Sequence, residues 1–186
     1  RRRGVLTRMN VPDLAAAAAR GVPVAVLIAA EAPIYGRFGF GAATETARWS
    51  VDVRAAELAP QVPRSGSVDV VAEADMRAIA PAVFEAARRP GAIDQVDVWW
   101  DRAFGLAGEP EHKPVTWLVH RATDGTPDGY ASYRPEESWV DRDIRTVVHV
   151  DHVQVATPAA YTGLWSVLTS LDIVARVNAP ELAVDE

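Results

Sequence analysis

Apolar positions along the chain predict an alternation of helices and strands. Val5, Leu6, Met9 and Leu14 recur at helical spacing, and the run Ala15 to Ala19 favours helix by propensity, so a helix is expected over 3–20 with Gly21 as its stop. Pro12 lies inside that span, where a proline costs about 3 kcal/mol unless the helix kinks or restarts. Asn10 stands where it would cap a restart. Val22 to Ala30 is apolar throughout and valine-rich, which predicts a buried strand. Pro33 to Phe38 reads as a single helical turn closed by Gly39, and Ala42 to Ala55 alternates as a strand. Residues 57–67 carry Pro60, Pro63, Ser65, Gly66 and Ser67, the composition of a linker.

The second half repeats the alternation. Val68 to Ala72 reads as a strand, and Asp75 to Arg88 as a helix burying Met76, Ile79, Ala80, Val83, Phe84 and Ala87, with Pro81 inside it. A shorter helix is expected over Val96 to Phe104. Strands follow over Val115 to Arg121 and Gly129 to Arg134, joined at Asp124-Gly125. Thr146 to Val155 is a further strand. Thr157 then caps a helix over Pro158 to Leu171, with proline at its first position, and Ile173 to Val177 is the last strand.

Composition narrows the class. Of 186 residues, 49% are apolar and 24% charged, enough to fill a core in a soluble globular protein of one large or two small domains. A net charge of −6 argues against general nucleic-acid binding. The absence of cysteine removes disulfides, thiol catalysis and thiolate metal sites. No apolar run reaches membrane-span length, so neither a membrane nor a nucleic-acid partner is expected, and a cytoplasmic location is.

Two short motifs carry chemistry. Arg1-Arg2-Arg3-Gly4 opens the first helix. A helix start offers unpaired N–H groups and a partial positive charge, a glycine lets backbone approach phosphate closely, and arginines add charge-assisted bonds. Ile34-Tyr35-Gly36-Arg37-Phe38-Gly39-Phe40 follows the valine-rich strand. A tyrosine hydroxyl, pKa near 10, can protonate a departing thiolate. Each motif has a plainer reading that outweighs it when taken alone: a solvated basic chain end, and an aromatic corner that fills the core.

Their order changes the balance. Phosphate turn, helix, buried strand and Tyr-Gly turn follow one another as in the second half of a GNAT N-acetyltransferase fold. RRRGVLTRM and RGVPVAVLIAAEAPIYGRFGFGAAT resemble one group in particular, the Eis (enhanced intracellular survival) N-acetyltransferases. The resemblance continues through Asp128 to Arg134 and Ala156 to Tyr161. It implies an α/β (α+β) GNAT fold, with residues 1–58 the C-terminal part of a first GNAT domain, 59–67 a linker and 68–186 a second GNAT-like domain. It also implies acetyl-CoA as co-substrate, a primary amine of the aminoglycoside or lysine type as acceptor, and a homo-oligomer in the full-length protein.

By the same resemblance Tyr35 is the general acid. Arg2, Arg3, Gly4, Val5, Leu6 and Thr7 form the pyrophosphate turn, and Ala30 and Glu31 the strand end lining the cofactor. Ala30 stands where serine is common. The thioester-carbonyl donor and the general base fall outside this chain, so the isolated 186 residues are expected to be inactive. A non-catalytic acyl-CoA-binding or scaffold protein that keeps the fold is the alternative, and an α+β interaction domain is a third reading. His149, Asp151 and His152 lie in one strand with His152 facing away from the other two, so no metal is expected. Trp99, Trp100, Trp117, Trp139 and Trp165 read as core and interface aromatics.

Overall fold

The computed structural model describes residues 4–56, 65–108, 115–140 and 143–182. The chain forms two compact units, residues 1–45 and 46–186.

The first unit contains helix α1 (Val5–Ala19), the short helix α2 (Ala32–Tyr35) and a 3-10 turn over Gly36–Phe38. α1 runs through Pro12 without a break. The strand expected over Val22 to Ala30 does not form: among the described residues the segment pairs with no strand, and Ile28 is 99% exposed. A strand is defined by its ladder, and an apolar run with no neighbour to bond has no ladder to join.

The second unit is built on one six-stranded sheet in the order β1-β6-β5-β4-β3-β2. Its elements are β1 (Ala47–Asp52), a 3-10 turn (Val53–Ala55), β2 (Ser67–Val71), α3 (Glu73–Ala86), α4 (Asp97–Ala103), β3 (Thr116–Arg121), β4 (Pro127–Val140), β5 (Asp143–Val155), α5 (Pro158–Leu168) and β6 (Val174–Leu182). All neighbours are antiparallel except β5 and β6, which run parallel and are joined by α5.

β1 overturns the expected grouping of residues 46–56 with the first unit. Its residues pair with β6, Val51 opposite Val177 and Asp52 opposite Arg176, so the units divide at Glu45/Thr46. The expected linker falls mostly on residues 57–64, outside the described residues. Prolines there predict a break in secondary structure, but a break inside a unit carries the same signal as one between units.

Two cores sandwich the sheet. α5 buries Leu164, Trp165 and Leu168 against Leu118, Ala131, Val148, Val150 and Val177 on one face. On the other, α3 buries Met76, Ala80 and Val83, and with α4 covers Trp117, Val119 and Tyr130. Burial pushes the Tyr130 phenol up to about 12. Arg77 of α3 ties the two helices together, bonding Asp101 at 2.9 Å and Asp97 at 2.5 Å. Pro81 sits within α3, where its missing N–H forfeits one helical bond, and burial of the flanking Ala80 and Val83 offsets that loss.

Other boundaries shift for local reasons. α5 ends at Leu168, with Thr169 as its C-cap and the Thr169 hydroxyl donating to the Trp165 carbonyl at 2.7 Å. β6 runs on to Leu182 through Pro180, which lies at a register irregularity against β1, where a missing N–H is tolerated. Gly66, at φ 85°, lets the chain enter β2 beside β3. A Cβ there would lie 2.1 Å from the Arg121 carbonyl oxygen. Gly66→Ala is therefore expected to destabilise the protein by about 2 kcal/mol or more, read as a lowered denaturation midpoint at unchanged slope.

Candidate acyl-CoA site

The first unit carries the residues singled out for chemistry. Gly4 caps α1 in the left-handed conformation, φ 67° and ψ 15°, and accepts from Arg8 N at 3.0 Å. No side chain caps the helix and its first turn holds no acidic residue, so the N–H groups of Val5, Leu6 and Thr7 face neither a cap nor a carboxylate. The dipole of a 15-residue helix favours an anion at this end. Arg2 and Arg3 lie outside the described residues.

Ala30 and Glu31 immediately precede α2, whose start is fixed by Ile34 N donating to Glu31 O at 3.1 Å. Tyr35 ends α2, half-buried, with its ring edge-on to Phe40 at 6.2 Å. Gly39, at φ 89°, closes the turn that follows. Arg37 Nε donates to Ile34 O at 3.0 Å and its guanidinium lies over the Phe38 ring. These contacts shape the loop around Tyr35. No hydrogen bond, ion pair or ring contact among the described residues joins Tyr35 to the α1 turn.

The second unit contains a geometric counterpart that is chemically closed. β5 and β6 pair from Thr146 opposite Val174 only to His149 opposite Asn178. Beyond that point a cleft of about 280 Å³ opens between Val153 and Val155 of β5 and Leu182 of β6. A second cleft of about 300 Å³ lies at the start of α5. There Pro158 offers no N–H, and Thr157 Oγ1 already accepts from Ala160 N at 3.1 Å. The Thr157 hydroxyl in turn donates to Asp128 Oδ2 at 2.7 Å, so the cap oxygen is engaged on both sides and has a carboxylate bonded to it.

Sequence reading missed the cluster that Asp128 anchors. His120, 1% exposed, places Nδ1 2.6 Å from Asp128 Oδ1 and Nε2 2.8 Å from the Ser65 carbonyl oxygen. The register that pairs His120 with Gly129 was the available signal, since it sets the imidazole beside Asp128. Asp128→Ala is expected to cost roughly 2–5 kcal/mol, because the buried His120 and the half-buried Thr157 lose their partner and α5 loses the support of its cap. Chemical denaturation measures it.

The three strand residues weighed for metal binding each have another partner. His149 Nε2 is 2.7 Å from Glu136 Oε2, Asp151 takes two bonds from Arg134, and His152 Nδ1 is 3.2 Å from Ser132 Oγ. Desolvation lowers the His152 pKa below the ordinary histidine value, against the opposing charges of Asp151 and Glu181. Its imidazole is therefore expected to titrate below about 6.5 by NMR.

Residues 91–186 match an acetyltransferase (GNAT) domain, and residues 1–43 match another domain of the same description. The chain belongs to the GNAT acetyltransferase family. The GNAT chain is 40% identical over 196 aligned residues to an uncharacterized N-acetyltransferase of Streptomyces griseus, covering all of this chain and 47% of that protein. It is 34% identical to N-acetyltransferase Eis of Mycobacterium tuberculosis, over 96% of this chain and 44% of Eis. The crystal structure of Eis1 from Mycobacterium abscessus superposes with a TM-score of 0.79 at 31% identity, covering 100% of this chain and 46% of that one. The resemblance to the Eis group thus holds across both units. The chain spans about half the length of the curated relatives it matches.

Proposed function

We infer that this GNAT chain belongs to an acetyl-CoA-dependent N-acetyltransferase that acts on primary amines. The observation that carries the reading is the contrast between two helix starts. The α1 start has a left-handed glycine cap, no side-chain cap and no acid in its first turn, whereas the α5 start is filled by Thr157, Pro158 and Asp128. The donor set at α1 fits a pyrophosphate; the one at α5 does not.

In this reading the N–H groups of Val5, Leu6 and Thr7 hold the pyrophosphate of acetyl-CoA, with Arg2 and Arg3 adding charge and Ala30 and Glu31 lining the thioester arm. The deprotonated amine nitrogen bonds to the acetyl carbon as the carbon–sulfur bond breaks, and Tyr35 Oη gives its proton to the departing sulfur. The proton that the acylated nitrogen sheds on becoming an amide then returns, through water, to the tyrosine. By the resemblance to the Eis group, the acceptor in this reading is of the aminoglycoside or lysine type and the full-length protein is a homo-oligomer. Among the described residues no helix is long and apolar enough to cross a membrane.

Calorimetric titration of acetyl-CoA into the protein expressed from its full reading frame tests the site. The Arg2→Ala/Arg3→Ala double variant is expected to weaken binding about 10²-fold, two charge-assisted bonds being lost. Absence of acetyl-CoA binding overturns the site. Binding without turnover on any amine favours a non-catalytic acyl-CoA-binding protein that retains the fold.

A further inference from the structure

The face of the sheet opposite α5 is covered by α3 and α4 over β3, the start of β4 and part of β5. Further along, among the described residues of the second unit no helix lies on this face, and several of its polar groups are paired. Arg134 bonds both oxygens of Asp151, at 2.8 and 2.6 Å, His149 meets Glu136, and Ser50 donates to Asn178 at 2.8 Å. Two cations break the pattern. Among the described residues, the guanidinium groups of Arg54 and Arg176 make no ion pair and no hydrogen bond. Both line one cleft of about 260 Å³ together with Asp52 and Arg145.

The carboxylate that could have neutralised them is turned elsewhere. Asp52 lies directly opposite Arg176 in the β1–β6 pairing, yet its Oδ1 accepts the backbone N–H of Arg54 at 3.1 Å, capping the 3-10 turn. That bond fixes the backbone of Arg54 at the cleft, while the ladder fixes Arg176 beside Val147. Arg54 and Arg176 against the single Asp52 carboxylate leave a net charge of about +1 from these three groups in the cleft.

We propose that this cleft binds a phosphoryl group, as free phosphate or as a phosphate monoester on a hydroxylated carrier. A phosphate monoester carries about −1.5 to −2 charge and three acceptor oxygens. It can engage two planar guanidinium forks at once, which a single carboxylate with two oxygens cannot do as well. Asp52 Oδ2 remains available to accept a hydroxyl from the carrier. The site lies wholly within the second unit.

Calorimetry with inorganic phosphate, ribose 5-phosphate and ribose as probes, at low ionic strength, tests it. Ribose 5-phosphate is expected to bind, ribose not, and Arg54→Gln and Arg176→Gln each to weaken binding roughly tenfold or more. Asp52→Asn weakens the ester alone if a carrier hydroxyl is recognised; equal phosphate and ester affinities, both lost in the arginine variants, assign the site to free phosphate. Arg121→Gln, paired with Asp69 on β2, is the control and leaves binding unchanged. Circular dichroism shows that the exposed arginine variants fold. No binding of either phosphate probe, or binding unchanged in both arginine variants, overturns the proposal.

Discussion

Tyr35→Phe is expected to lower acetyl transfer by about 10²–10⁴-fold while leaving acetyl-CoA affinity unchanged, the span that general acid catalysis supplies. The substitution removes one hydroxyl and keeps the ring. The edge-on contact with Phe40 survives, and so does the half-buried position at the end of α2. Loss of turnover at intact binding is the signature of an interaction made only in the transition state. A variant that retains wild-type kcat removes Tyr35 from the mechanism and leaves its ring a purely structural role in the loop.

Trp117→Ala is expected to destabilise the second unit by about 3–5 kcal/mol, the usual cost of truncating a buried aromatic to alanine. Trp117 is 1% exposed and central to its core. Its ring lies 5.1 Å from Phe104, 6.0 Å from Tyr130 and 5.7 Å from His152, and its indole N–H donates to Glu73 at 3.1 Å. Removing it leaves a cavity bordered by α3, α4 and β4, and takes away the ring that His152 packs beside. The thermal midpoint should fall by about 10 °C for a chain of this size. Trp99→Ala, at a half-exposed position, should change stability by about 0.5 kcal/mol or less. Comparable losses in the two variants would contradict the described core.

Local signals were legible and long-range ones were not. The cap at Thr157 with Pro158 behind it, the buried side of α3 at Met76, Ala80 and Val83, and the hairpin turn at Asp124-Gly125 are each written in a few adjacent residues. The Gly4 turn and the Tyr35 turn were found for the same reason. The Val22 to Ala30 strand failed because apolarity shows that a segment seeks burial, not what it will pair with. The allegiance of β1 failed because its partner is at the far end of the chain. The open charges of Arg54 and Arg176 depend on where Asp52 points, and a carboxylate's choice between a guanidinium and a backbone N–H is decided by the turn geometry, not by the residue type.

The pairing of β1 with β6 has a consequence for synthesis in the cell. Ser50 and Asn178, bonded side chain to side chain, are 128 residues apart. At elongation rates of about 5–20 residues per second, β1 leaves the ribosome roughly 6–26 seconds before its partner exists. During that interval its ladder groups are open to any other strand, and Trp49 is without the Trp165 ring that later packs beside it. Loop closure over such a distance is slow compared with the β3–β4 hairpin, so β1 is placed to dock late. Translation speed through the 128 codons between Ser50 and Asn178, more than the stability of the finished sheet, then sets how much of the protein reaches its native pairing.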